Sequence, residues 1–265
     1  MKLSDLLFTQ GFGTRRLCAG LIAHGEVAIS GVVITDPLHE VEPLGLVFSV
    51  QGKTWPYCEK ALIVLNKPAG FECSRKPKHH PSVMTLLPPP LRERDVQPIG
   101  RLDEDTTGLL LFTDDGKLIH KLTSPKHHVP KVYEAQCKHP VTDEMVAALL
   151  AGVELREPEP RPLPGGAPSG RDTRSTKGAQ RGPAAAAAPF KPERVQAEGA
   201  ERYGTHGLRL TLTEGKYHQV KRMVAAVGNR VEALHRSTFG ALTLPADLKP
   251  GEWRFLAGPE VLMPD

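Results

Sequence analysis

An acid-rich segment, Arg101-Leu102-Asp103-Glu104-Asp105, leads into the apolar run Gly108-Leu109-Leu110-Leu111-Phe112-Thr113, and Asp115-Gly116 closes that run with a turn signal. Carboxylates on a loop braced by a rigid strand stand where catalytic side chains are commonly held. An aspartate with a reference pKa of about 3.9 is ionised at neutral pH. It can attack an electrophilic carbon, stabilise a cationic sugar or take up a proton, as in glycoside chemistry. The same spacing also suits Asp103 and Asp105 as loop residues bonded to nearby backbone amides, and residue type alone leaves both roles open. Two further residues could join them. Lys221 lies at the edge of the apolar stripe of a predicted helix, with His218 and Arg222 on its polar side, and Tyr133 lies in an alternating strand segment. A solvated helical lysine and a packed strand tyrosine account for these two equally well.

The elements that must position these groups are legible in the periodicity. Leu62-Ile63-Val64-Leu65 and Gly108–Thr113 read as buried strands, and Val132–Cys137 and Leu208–Leu212 alternate with period two. Between Tyr217 and Val227 the residues Val220, Met223, Val224 and Val227 follow helical spacing, with Gly228 placed to end the helix. Residues 1–50 read as a separate small module. A helix near Leu3–Phe8 precedes a second from Arg15 to about Ala23, capped by Thr14 and ended by Gly25. A hairpin turning at Ser30-Gly31 follows. An extended linker is expected over 51–60 and the main domain over 61–265. That domain is interrupted at 156–194, where 20 of 39 residues are Pro, Gly or Ala. Such a composition reads as a flexible insertion, and its scattered Arg and Lys suit an electrostatic tether for RNA.

Composition narrows the class. The 265 residues carry a net charge of +4, and the pI is about 8.9 with a mean hydropathy of -0.28. The balance permits a polyanionic partner without demanding one. No apolar run approaches the ~18 residues of a membrane span, and the N-terminus does not read as a secretory signal, so a cytoplasmic protein with no membrane association is expected. Cys18, Cys58, Cys73 and Cys137 form no CxxC pair, which argues against a zinc ribbon or a disulfide framework. The His79-His80 and His127-His128 pairs are poor metal ligands because adjacent residues point apart on a regular element. For Glu104, Asp105, Asp114 and Asp115, solvation is the simpler account than Mg²⁺. No metal is expected.

Gly100-Arg101-Leu102-Asp103 followed by Thr106-Thr107-Gly108-Leu109-Leu110 resembles the signature loop of the RsuA family of pseudouridine synthases, which reads Gly-Arg-Leu-Asp, then Thr-x-Gly-Leu-Leu. Leu65-Asn66-Lys67-Pro68-Ala69-Gly70 is similar to that family's first motif, and Lys131-Val132-Tyr133-Glu134-Ala135 to its Lys-x-Tyr strand. Glu214-Gly215-Lys216-Tyr217-His218-Gln219-Val220-Lys221-Arg222-Met223 is similar to its third, with Leu234-His235-Arg236 following. Four ordered motifs spread over most of residues 61–236 carry the resemblance, and residues 1–50 resemble an S4-type RNA-binding domain.

The resemblance implies an α+β catalytic domain on a mixed, largely antiparallel sheet with flanking helices. It implies cleavage of a uridine C1′–N1 bond and formation of a C1′–C5 bond, with no cofactor. Asp103 would be the catalytic carboxylate, Lys221 its basic partner and Tyr133 the residue stacked on the uracil. The base must leave its stack to be reached, and Arg101 occupies the family position that fills the vacated space. Lys67, Lys126, Lys131, Arg222 and Arg236, together with Arg15 and Arg16 of the small module, would contact RNA phosphates. Cys73-Ser74, Ser124-Pro125-Lys126-His127-His128 and Ala225-Ala226-Val227-Gly228-Asn229 resemble the members acting on 16S rRNA, so a monomer working on a small-subunit assembly intermediate is expected. Two other outcomes are a 23S rRNA enzyme of the same family and a non-catalytic ribosome-assembly protein.

Overall fold

The structure, a computed structural model, describes residues 1–155 and 193–263. Helix α1 (Leu3–Thr9) and helix α2 (Arg15–Ala23) pack on a small sheet, and the Thr14 side chain caps α2 by accepting a hydrogen bond from Leu17 N. Strands β1 (Val27–Ile29) and β2 (Val32–Ile34) join through Ser30 and Gly31, both with positive φ, which is the turn a two-residue hairpin requires. Strands β3 (Val47–Val50) and β4 (Lys53–Pro56) join the same way through Gln51 and Gly52, and the sheet order is β2-β1-β3-β4. The extended linker expected over 51–60 is therefore corrected: its first six residues complete this sheet. Leu3, Leu6, Leu7, Cys18, Ile22, Phe48 and Trp55 form the core beneath it.

Strand β5 (Leu62–Lys67) is buried along its whole length. After it come α3 (Pro89–Glu93), β6 (Gln97–Ile99), β7 (Thr106–Thr113), α4 (Gly116–Thr123), β8 (Lys131–Cys137) and α5 (Asp143–Ala151). The described chain continues with β9 (Val153–Leu155), β10 (Glu193–Val195), β11 (Gly199–Tyr203), β12 (Gly207–Leu212) and α6 (Gln219–Ala226). It ends with β13 (Val231–Phe239), β14 (Leu242–Thr243) and β15 (Trp253–Phe255). The main sheet runs β11-β12-β8-β13-β7-β5-β15, with β6 and β14 paired to β7 and β13. Among the described residues its one parallel pair is β13 with β7, and the other pairings are antiparallel. The fold is thus the mixed α+β arrangement that the motifs implied. The expected insertion at 156–194 lies outside the described residues except for Glu193 and Arg194, which belong to β10 and pair with Leu155 and Glu154.

Period-two burial sets the two layers. Leu62 and Val64 of β5 and Leu109 and Leu111 of β7 face one core, which Leu118 and Leu122 of α4 cover. Ile63, Leu65, Leu110 and Phe112 face the other, together with Val220, Met223 and Val224 of α6. A strand buried on both faces reads as a continuous apolar run, which explains the composition of β5 and β7.

A polar network fastens the small module to the main domain. Arg94 donates from Nε and Nη2 to Asp114 Oδ2 at 2.9 and 2.6 Å, and from Nη1 to Gln10 Oε1 at 2.7 Å. Gln10 is bonded in both directions to the Cys58 backbone, and Trp55 stacks on Trp253 with ring centroids 6.4 Å apart. The Arg94 and Asp114 side chains are 5% and 12% exposed, so losing the guanidinium leaves a carboxylate stranded in a poorly solvated seam. Arg94→Ala is expected to lower stability by about 3 kcal/mol, read as a fall in the thermal midpoint. No change would mean that the seam is wet and the two parts are only tethered.

Candidate active site

The loop bearing Asp103 is held from beneath by a buried lysine. Lys67, at the end of β5, is fully buried, and its Nζ donates to the carbonyls of Pro68, Asp103, Glu104 and Thr106 at 3.1, 3.0, 3.3 and 2.8 Å. Burial pulls the Lys67 pKa down, an effect opposed by neighbouring acidic groups that include Asp105, Asp103 and Glu104. The loop is pinned further where Leu102 N meets Cys73 Sγ at 3.4 Å and where Thr106 N donates to Asp103 O at 3.1 Å. Burial raises the pKa of the Cys73 thiol, so it packs as a neutral group. Gly108 then allows β7 to run close beside β13: its φ is +102°, and a Cβ there would lie 2.3 Å from Arg236 O.

Above this loop the start of α6 supplies two basic side chains. His218 precedes the helix in a left-handed conformation, φ 49° and ψ 33°, and stacks on Tyr217 at 3.8 Å between ring centroids. Its Nε2 is 3.3 Å from Asp103 Oδ1. Lys221 Nζ is 3.5 Å from Asp103 Oδ2 and 2.7 Å from both oxygens of Asp105. The expected pairing of Lys221 with Asp103 is therefore a close electrostatic contact, while the hydrogen bonds of the ammonium go to Asp105. Burial works to raise the Asp105 pKa, but the Lys221 hydrogen bond and charge outweigh it and the net shift is downward.

Asp103, Lys221 and Tyr133 line one cleft of about 430 Å³, walled also by Arg101, Lys131, Tyr217, His218 and Arg236. A volume of this order suits a single nucleotide base with part of its sugar. Tyr133 on β8 is 9% exposed and pairs in register with Arg236 on β13. Arg101 is exposed at the rim and also lines a smaller neighbouring cavity with Met84, Gln97 and Pro98. Arg222 Nη1 bonds the Tyr217 carbonyl, and Lys126 is exposed in the turn after α4. Arg15 and Arg16 are exposed at the start of α2, with Arg15 bonded to Asp5 and stacked over Phe8.

Three phosphate contacts expected from the sequence do not fit. Lys67 is sealed beneath the loop and cannot meet RNA. Lys131 and Arg236 are only 8% and 1% exposed, so they can touch only what enters the cleft. Lys131 Nζ donates to Val129 O and Thr213 O at 2.8 and 3.4 Å, and Arg236 Nε donates to Leu109 O at 2.8 Å. The Phe239 ring lies within 5.3 Å of Lys131 Nζ and 5.2 Å of the Arg236 guanidinium carbon.

Burial, and next the charge of Arg236, lower the Lys131 pKa to about 8. A lysine that is less basic folded than unfolded costs stability while charged. That cost is present below pH 8 and is relieved as pH rises from there toward the ordinary value of 10.5. Lys131→Met is accordingly expected to raise stability at pH 7 by roughly 1–3 kcal/mol, the gain shrinking toward pH 10 in thermal melts. A destabilised variant at pH 7 would show that the two carbonyl bonds outweigh the buried charge.

Two participants escaped the sequence reading. His218 was placed only on a polar helix face, and Asp105 only in an acidic loop. A helical wheel starting at Tyr217 could not foresee that the helix begins at Gln219, with His218 turned left-handed toward Asp103.

A carboxylate flanked by two basic groups shares a base-sized cleft with a tyrosine, an arrangement chemically able to act on a nucleotide. The comparisons give the class a family: the chain belongs to the RNA pseudouridylate synthases, whose family model matches residues 61–226. It is 36% identical to ribosomal small subunit pseudouridine synthase A of Yersinia pestis, over 98% of this chain and 97% of that protein. To an uncharacterised RNA pseudouridine synthase of Bacillus subtilis it is 34% identical, again over 98% of this chain and 97% of the relative. A crystal structure of a pseudouridylate synthase superposes with a TM-score of 0.60 at 29% identity, covering 98% of each chain.

Proposed function

We propose that this protein converts a uridine of small-subunit ribosomal RNA to pseudouridine, with Asp103 as the catalytic carboxylate. The observation that carries the reading is the cleft itself: Asp103 stands between His218 and Lys221 at the mouth of a base-sized cavity that Tyr133 lines. In this reading the target base flips out of the RNA and enters the cleft. Tyr133 packs against the ring, and Lys221 and His218 orient Asp103. Lys221 passes between Asp105 and Asp103, since its ammonium is within 3.5 Å of both. Arg101 at the rim fills the space that the base vacates in the RNA, and Lys126 and Arg222 with Arg15 and Arg16 contact phosphates.

The small-subunit substrate is supported by the names of full-length relatives such as those of Yersinia pestis and Escherichia coli. A target still accessible during subunit assembly fits an enzyme that must extract a base from its stack. The test is carbodiimide-based primer extension on both ribosomal RNAs from cells with and without the gene. Loss of one 16S position, restored only by the wild type, supports the reading. Loss of a 23S position keeps the chemistry and moves the substrate, and no change in either RNA defeats the proposal.

A further inference from the structure

The cleft floor holds two buried cations with no carboxylate bonded to either among the described residues. Lys131 of β8 spends its hydrogen bonds on two carbonyls, Arg236 of β13 spends Nε on a third, and Arg236 Nη2 has no hydrogen-bond partner among the described residues. The nearby carboxylates are engaged elsewhere, Asp103 by His218 and Lys221, and Glu214 by Gln219 and Lys216. Like charges buried side by side are costly unless something negative joins them, and the depressed pKa of Lys131 is the same cost seen from the proton. An RNA phosphate is a poor candidate, because it stays on the backbone at the surface whereas these groups are 8% and 1% exposed. What reaches the interior of such a cleft is a flipped base.

We propose that Lys131 and Arg236 form an anion-stabilising floor on which the detached uracil carries its negative charge while it turns. This rests on the pseudouridine synthase reading of the cleft. The C1′–N1 electron pair leaves with the ring, giving a uracil anion, while C1′ is taken up by the Asp103 carboxylate. After the ring turns, C5 attacks C1′ and the carboxylate departs with its electron pair. The C5 proton is lost to solvent and N1 gains one, so the sum is an isomerisation with nothing consumed. Charge spread over O2, N1 and O4 accepts charge-assisted hydrogen bonds that neutral uracil accepts more weakly, so the floor favours the reacting state over the bound substrate.

The test is single-turnover conversion of a target-bearing RNA, with the affinity for that RNA measured across salt concentrations. Lys131→Met is expected to slow conversion at saturating RNA roughly 10²–10³-fold, with RNA affinity and its salt slope unchanged. The wild-type rate is expected to fall above pH 8 as Lys131 loses its proton. Lys131→Arg, which keeps its charge, is expected to hold its rate there.

Weakened affinity with a salt slope shallower by about one and an unchanged rate at saturation would make Lys131 a phosphate contact and overturn the proposal. An unaltered rate in folded Lys131→Met, or a Lys131→Arg rate that still falls above pH 8, would overturn it too. Absence of pseudouridine from the wild-type reaction would instead defeat the function on which it rests.

Discussion

Asp103→Asn is expected to leave a folded protein that binds RNA with near wild-type affinity and converts uridine roughly 10⁴-fold more slowly or not at all. The substitution keeps the shape and removes the charge. Among the described residues the Asp103 carboxylate makes only loose contacts, 3.3 Å to His218 Nε2 and 3.5 Å to Lys221 Nζ, and Lys221 retains Asp105 at 2.7 Å. The loop is held through the Asp103 carbonyl, which the variant keeps. Stability should therefore change little while turnover collapses. Circular dichroism melts, RNA titration and pseudouridine quantification separate the three quantities. Residual turnover within tenfold of wild type would show that the carboxylate is not the reacting group.

Lys67→Met is expected to damage both fold and rate, in contrast to the stabilisation expected for Lys131→Met. Each lysine is buried, but their surroundings differ. Lys67 shares its three N–H donors among four carbonyls and lies among carboxylates, whereas Lys131 has two carbonyls and a neighbouring guanidinium. Without the Lys67 ammonium, the carbonyls of Asp103, Glu104 and Thr106 lose a common donor. Asp103 O and Glu104 O keep the amides of Thr106 and Gly70, so the cost lies in the lost hydrogen bonds to a charged group, roughly 1.5–3 kcal/mol each, and in the buried Thr106 carbonyl. Part of the loop relaxes toward water, so a net loss of about 3 kcal/mol is expected, or roughly 6–12 °C in the thermal midpoint for a domain of this size. Turnover should fall roughly 100-fold, because a displacement of the reacting group by about 1 Å has that effect. Lys67→Arg offers the charge but not a point donor, and is expected to recover little of either. A variant with wild-type stability and rate would show that the loop is held by its strand ends alone.

The fold was largely legible where one physical signal dominated. Ser30-Gly31 between alternating apolar residues marked a hairpin, Thr14 marked a helix start, and the apolar runs of β5 and β7 marked strands buried on both faces. Reading failed where the signal was weak or the cause lay elsewhere in the chain. Gln51-Gly52 makes the same kind of turn as Ser30-Gly31. It lies between Pro43 and Gly45 on one side and Pro56 on the other, in a stretch whose composition suggests a connector and hides β3 and β4.

The candidate site divides similarly. Asp103, Tyr133 and Lys221 were picked out by motif and are brought to one cleft. Lys67, Lys131 and Arg236 were assigned to an RNA surface because lysine and arginine are seldom buried. Their burial is set by neighbouring strands, which a one-dimensional pattern does not contain. The bond between Lys221 and Asp105 joins residues 116 positions apart and depends on where β7 and α6 meet.

The most direct test of the central claim uses ribosomal RNA carrying tritium at C5 of uridine. A new bond from C5 to C1′ requires that this hydrogen leave, whichever atom the carboxylate first engages. With purified wild-type protein, tritium is expected to appear in water in step with pseudouridine, stoichiometric with one site per RNA, and Asp103→Asn is expected to release none. Equal release by the Asp103→Asn protein, or no release by wild type on naked small-subunit RNA and on assembly intermediates alike, would contradict the account.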